Sequence, residues 1–398
     1  MLNYRKKMFF MEARLLLDLA LILFATKIFG ILTRRIHLPQ VVGALLSGII
    51  LGPALLGFVK PNEIINMLAE LGVIILMFTA GLETDFMKLR ELLKPSVIIA
   101  ALGVAAPLAG GFALGLFFGM GTLESIFIGV ILSATSVSIT VEVLREMGKL
   151  GTKAGVTILG ASAIDDVLSI IVLSVVISGE SGGLSVVNIS MTLLMILVFF
   201  IFAVICGFAV FKLFEYLSGW GMRRRLSVFG LAFCFFMAFM AHFFGLESIL
   251  GAYIAGLVLC HSKAERYIEV KSETLSFLFF APIFFVSVGL KMSFDGLGKE
   301  GVIFAALFFT AAVVTQLVGC GLGAKINKYT TRDSIRIGIG MITRGEVAII
   351  SATIGIDMGI VDLRYFSGIV MAIIVTTLAT PILLKVVFSE NPNELNKN

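Results

Sequence analysis

Apolar runs long enough to cross a bilayer recur along the whole chain, separated by short breaks that carry charge, glycine or proline. A hydrocarbon core of about 30 Å takes about 20 residues of helix. Read this way, the chain predicts thirteen membrane helices, near residues 13–34, 39–57, 64–84, 95–118, 123–145, 153–178, 188–214, 223–243, 246–262, 272–290, 300–325, 332–356 and 365–388. Pro39, Pro53, Pro107, Pro282 and Pro381 mark helix starts or kinks in this reading.

The polar exceptions inside these runs carry the chemistry. The sixth segment holds two adjacent carboxylates, Asp165 and Asp166, in the stretch G-A-S-A-I-D-D-V-L-S. An acid at that depth costs on the order of 2.5–3.5 kcal/mol to insert, and leucine or valine would pack without that cost, so the pair reads as a functional site. The fifth segment contains I-L-S-A-T-S-V-S-I-T at 131–140, and the twelfth contains G-M-I-T-R-G-E-V-A-I-I-S, with Arg344 and Glu346. Both read as interrupted helices, whose free carbonyl ends favour a cation and free amide ends an anion. Ser and Thr back-bonding within an unbroken helix is the plain alternative for the fifth. Arg344 and Glu346 are expected to neutralise the half-helix ends and so tune the site; direct ligation of an ion by Glu346 is the sharper alternative.

A repeat organises the chain. At one constant offset of 208 residues, Gly43 aligns with Gly251, Gly48 with Gly256, Gly81 with Gly289 and Thr135 with Thr343. Helices one to six (13–178) therefore return as helices eight to thirteen (223–388), with the segment 188–214 as a linker. The copies are displaced by an odd number of helices, so the second enters the membrane from the opposite face, which is a secondary-transporter signature. Asp165 and Asp166 align with Ile373 and Ile374, and Ser136 and Ser138 align with Arg344 and Glu346. The scaffold is symmetric and the polar chemistry is not.

Composition agrees with this picture. Hydrophobic residues are 59% of 398 and charged residues 14%, and mean hydropathy is +1.06, far from a soluble domain. No appended soluble regulatory domain and no cleaved signal peptide are expected, since the first apolar run carries Asp18 and Lys27. The net charge of +5 is spread over many loops, which argues for membrane anchoring and against nucleic-acid binding. Arg34, Arg35, Lys88, Arg90, Lys94, Arg145, Lys149, Lys153, Arg223, Arg224, Arg225, Lys263, Arg266, Lys271, Lys325, Lys328, Arg332 and Arg336 fall on one side, against Lys60, Lys291, Lys299, Arg364 and the tail with Arg5, Lys6 and Lys7 on the other. The positive-inside rule then puts the N terminus outside and the C terminus in the cytoplasm. Cys206, Cys234, Cys260 and Cys320 read as packing residues, and His242 as a satisfied interior one; no cofactor is expected.

Successive residues on a helix point about 100° apart, so one aspartate should face the interrupted helices and the other a neighbouring helix. The pair titrates as a unit. A carboxylate that holds either a proton or a hard monovalent cation, with hydroxyl and carbonyl oxygens beside it, performs antiport. The occupied site is nearly neutral and can move, while the empty charged one is held back by desolvation.

At A-T-S-V-S-I-T (134–140), I-D-D-V-L (164–168), P-I-F-F-V-S-V-G-L (282–290) and T-R-G-E-V (343–347), the chain resembles the second family of monovalent cation:proton antiporters, the bacterial NapA, GerN and KefC kind. The resemblance covers nearly the whole chain. It implies the NhaA-type fold: an all-α polytopic protein of two inverted six-helix repeats with crossed interrupted helices, in the bacterial inner membrane. It further implies a homodimer, a fixed dimer panel from 13–84 and 223–290, and a moving ion-transport core from 95–178 and 300–388. By the same resemblance Asp166 is the essential ion-binding carboxylate, with Asp165 as its partner and Thr135, beside Ser136, near the crossing. The family often carries a lysine in helix eleven, where this chain has Gln316. Gln316 hydrogen-bonds but brings no charge, so Asp165, which it is expected to face, is either protonated throughout the cycle, giving a single proton per sodium, or is a second exchange site.

The expected activity is sodium/proton antiport, extending to lithium. Potassium/proton antiport and a sodium-coupled solute symporter on the same fold are the alternatives within transport. An intramembrane aspartyl protease is the alternative among enzymes, and adjacent aspartates on one helix argue against it.

Overall fold

The computed structural model describes residues 2–180, 186–219, 225–292 and 297–389. The side chains of Arg5, Lys6 and Lys7, and residues Arg223 and Arg224, which entered the orientation argument, lie outside the described residues. Within them the chain is all helical: α1 (Leu2–Arg35), α2 (Gln40–Leu51), α3 (Glu63–Glu83), α4 (Phe86–Phe117), α5 (Thr122–Ser133), α6 (Val137–Glu146), α7 (Lys153–Glu180), α8 (Val186–Gly219), α9 (Leu226–Phe243), α10 (Ser248–Leu259), α11 (Glu265–Leu275), α12 (Ala281–Leu290), α13 (Lys299–Ile326), α14 (Thr331–Gly340), α15 (Glu346–Asp357) and α16 (Phe366–Phe388). One π turn, Ser276–Phe280, joins α11 to α12. Among the described residues, ten segments are long and apolar enough to cross a membrane.

Several boundaries depart from the hydropathy reading, each for a local reason. The fourth helix starts at Phe86, well before residue 95, because Asp85 caps it, accepting from the Met87 and Lys88 amides at 2.9 and 3.2 Å. Pro95 and Pro107 then lie inside α4. The second segment is helical only to Leu51, where Gly52 and Pro53 end it. At twelve residues each, α2 and α10 reach about 18 Å, less than a bilayer core.

Helix packing sorts the elements. α4 packs along α5, α7 and α13, and α13 along α14 and α16, while α2 packs on α1 and α12, α3 on α10 and α12, and α10 on α9. α8 touches α7, α9 and α10. Two contacts among α2, α3, α10 and α12 are closed by glycine on both sides. A Cβ added at Gly48 would overlap the Val286 carbonyl and lie 2.9 Å from Gly289 Cα, and one added at Gly81 would overlap the Tyr253 carbonyl and lie 2.9 Å from Gly256 Cα. Where lipid is as apolar as leucine, such close backbone approach supplies much of the association energy.

Gly81→Ala should therefore force α3 and α10 apart and lower the thermal unfolding midpoint in detergent, on the scale of about 1–3 kcal/mol for overpacking. Gly151→Ala, at a position with nothing within 4 Å of the added Cβ, should leave the midpoint where it was.

Candidate functional site at two helix breaks

Two helices are interrupted, and the interruptions touch. Between α5 and α6 the chain runs extended through Ala134 and Ser136, and between α14 and α15 it leaves the helix from Met341 to Gly345. The Ser136 amide donates to the Thr343 carbonyl at 2.9 Å. Thr140 Oγ1 donates to the Gly340 carbonyl at 2.8 Å and lies 3.2 Å from Thr343 Oγ1. A Cβ at Gly345 would come within 2.5 Å of Ser136, so the approach requires glycine. Backbone groups freed by each break are thus partly satisfied by the other, which is how unwound chain persists at membrane depth.

Asp165, on α7, is fully buried against this contact. Its Oδ2 accepts from Thr135 Oγ1, while Oδ1 has no hydrogen-bond partner among the described residues. Arg344 is also fully buried. Its Nη2 donates to Gln316 Oε1 at 2.9 Å, its amide to Thr376 Oγ1 at 3.3 Å, and its carbonyl accepts from Thr377 Oγ1 at 2.8 Å. Nε and Nη1 of Arg344 have no hydrogen-bond partner among the described residues. Arg344 is the cation that acts on Asp165. Asp166 is only partly buried and interacts electrostatically with Asp165 and with Glu247, the residue that starts α10.

The structure thus brings Thr135 to Asp165, Ser136 to the opposite break, and Gln316 to Arg344. Gln316 does not hydrogen-bond Asp165, as the sequence had suggested; its amide is taken by Arg344 and by Cys320 Sγ at 3.3 Å. Arg344, expected to neutralise a helix end, also supplies the charge facing Asp165 from the second break. Glu346 stands apart from it, in the first turn of α15 and near Lys291.

Glu346 lines a cavity of about 520 Å³, together with Glu70, His242, Glu247, Lys291 and Ser351. A smaller hollow shares Lys291 and Glu346 with it and reaches Ser136 and Gly345 at the breaks. His242, read from sequence as an interior residue, is exposed and lines this cavity. Glu247 was missed altogether. Its signal was an acid directly before an apolar helix, at the position where the first repeat has Pro39.

The profile of the family described as "Sodium/hydrogen exchanger, transmembrane" matches residues 20–390. The Na(+)/H(+)-K(+) antiporter GerN of Bacillus cereus is 38% identical over 379 residues, covering 95% of this chain and 97% of that protein. A Na(+)/H(+) antiporter of Enterococcus hirae is 37% identical, covering 92% of this chain and 96% of that one. Among solved structures, the sodium proton antiporter MjNhaP1 from Methanocaldococcus jannaschii at pH 8 superposes with a TM-score of 0.65 over 93% of this chain and 96% of its own, at 19% identity. That likeness is one of fold.

A double-mutant cycle tests the electrostatic coupling of Asp165 to Arg344. Arg344→Met and Asp165→Asn should each destabilise the protein, and together by less than their sum, with a coupling of about 1–3 kcal/mol read from unfolding midpoints in detergent. Additive effects would mean that the two charges do not interact.

Proposed function

The chain belongs to the transmembrane sodium/hydrogen exchanger family, and from that premise we propose that it is a sodium/proton antiporter working by alternating access at Asp166. It is a transporter and not an enzyme. One observation carries the reading: Asp165, the neighbour of Asp166, is bonded to Thr135 at the contact of two broken helices, and a hollow that shares Lys291 and Glu346 with the large cavity reaches those breaks.

In this reading the two carboxylates divide the work. Asp165 is held by the Thr135 hydroxyl and faces the Arg344 guanidinium, so its charge is matched inside the protein through the cycle. The charges that act on Asp166 are those of Glu247 and Asp165, and no cation balances it among the described residues. Its charge must be matched by cargo, a proton or a sodium ion. The carbonyl ends of α5 and α14, with the Thr135 and Ser136 hydroxyls, supply further oxygen ligands. Glu346, Glu247 and Glu70 give the cavity an acidic lining that raises the local concentration of cations. One exchanging carboxylate gives a single proton per sodium and no net charge movement.

The scaffold supports the same reading. When α5–α6, α11–α12 and α14–α15 are each counted as one crossing and the short α2 and α10 are included, thirteen segments result. The two glycine contacts are repeat mates: Gly48 meets Gly289 and Gly81 meets Gly256, and each glycine of one pair lies 208 residues from one of the other. An inverted repeat with a two-fold relation between its copies generates that pattern. The fixed panel is then α1–α3 with α9–α12, the moving core α4–α7 with α13–α16, and α8 the linker. On the positive-inside reading the turn between α6 and α7 is cytoplasmic, and the large cavity then opens outward. The protein works in the bacterial cell membrane, as a homodimer by family precedent. Potassium/proton exchange remains the second reading, because GerN carries both cations in its name.

In proteoliposomes loaded with a pH dye, Asp166→Asn should abolish sodium-dependent proton movement. Wild-type exchange by that variant would overturn the assignment, and comparing sodium, lithium and potassium decides the cation. A potential-sensitive dye should report no charge movement during sodium/proton exchange; a sodium-driven potential would make Asp165 a second exchange site.

A further inference from the structure

A second buried acid has no place in the mechanism so far. Glu142, on α6, is 4% exposed, yet no hydrogen bond or ion pair is made by its carboxylate among the described residues. It lines a small cavity of about 60 Å³ with Lys27 and Thr26 of α1, Gln40 of α2, Glu146 and Phe277. That volume has room for a few waters.

The charged groups around it are otherwise engaged. Arg145, its neighbour on α6, is paired with Glu83 of α3 at 2.5 Å and lies 3.6 Å from Glu273 of α11, with Thr79 at 3.2 Å. Glu146 accepts the Gln40 amide at 2.9 Å on each oxygen, capping α2. Lys27 is exposed and leans on the Phe277 ring at 5.8 Å. Glu142 alone keeps its carboxylate for the cavity. Phe277 in the lining belongs to the π turn Ser276–Phe280, a distortion of the helix ladder that recurs at functional sites.

Position gives the group a role. Glu142 lies six residues beyond Ser136 on the same helix, about 9 Å along its axis, on the side of the breaks away from the large cavity. It therefore stands between the aspartate pair and the face that carries most of the basic residues. We propose that Glu142 is a proton-relay carboxylate on that route. A proton released by Asp166 is taken up by the Glu142 carboxylate through water in the cavity, and Glu142 then returns it to bulk water, so no charge accumulates at the relay. The route runs between α6 and α1, α2 and the π turn, the elements that separate when the core moves against the panel.

This inference rests on the antiport reading, and the test separates the two. Sodium-driven proton exchange is measured in proteoliposomes over a range of pH for wild type, Glu142→Gln and Glu142→Asp. Glu142→Gln should lower the maximal rate about tenfold, within the scale of a positioned proton transfer. It should also remove one ionisation from the pH profile and leave the half-saturating sodium concentration unchanged, while Glu142→Asp restores the profile. A Glu142→Gln variant with the wild-type profile, whether its rate is normal or reduced, overturns the relay, as does failure of Glu142→Asp to restore it. Absence of exchange in the wild type would instead overturn the antiport reading.

Discussion

Everything in this protein depends on keeping carboxylates in a place where charge is poorly solvated. Moving an ionised acid out of water is unfavourable by several kcal/mol unless a counter-charge or strong donors replace the solvent. Asp165 meets this condition internally, through Thr135 and Arg344. Arg344 is in turn held by Gln316, Thr376 and Thr377. Asp166 has no such provision. In the proposed mechanism this unequal treatment of two adjacent residues is what turns an acid pair into a carrier, because the less well matched acid would have to borrow its positive charge from outside.

The helix architecture exists to make that site possible. A continuous helix would satisfy its own carbonyls and leave nothing to meet a cation, whereas the breaks at 134–136 and 341–345 free them and let the Ser136 amide and the Thr343 carbonyl close the contact. Close approach needs small residues, and Gly345 supplies one at the crossing as Gly48, Gly81, Gly256 and Gly289 do in the other group of helices. On the face away from the cavity, Arg145 with Glu83 and Glu146 with the α2 amide end join the two groups. In the proposed alternating-access cycle, opening that side would break these contacts, and Glu142 is beside them.

Much of this was legible in the sequence, because membrane insertion makes polar residues conspicuous. Asp165–Asp166, the hydroxyl cluster at 133–140, Arg344 and Glu346 stood out in apolar runs, and the structure gathers Thr135, Asp165, Arg344 and Gln316 at one place. What remained hidden were properties of the third dimension. Gln316 was the natural partner for Asp165 by analogy of position, yet its amide is used by Arg344 and Cys320, a choice set by side-chain direction across three helices. Glu247 and Glu142 sit at a helix start and near a helix end, where sequence reads acids as ordinary loop or interfacial residues; only packing shows the first acting electrostatically on Asp166 and the second buried against a small cavity. The early start of α4 was masked by Pro95, a residue that more often begins a helix than sits within one.

The central claim is that a proton and a sodium ion compete for one carboxylate. The most direct measurement is the number of protons released when sodium is added to the purified protein in weakly buffered detergent solution. The account predicts release of about one proton per sodium bound, sodium affinity that falls as pH falls, and loss of both effects in Asp166→Asn, since linkage makes the two ligands reciprocal. Sodium binding that releases no protons and keeps the same affinity across pH would contradict it.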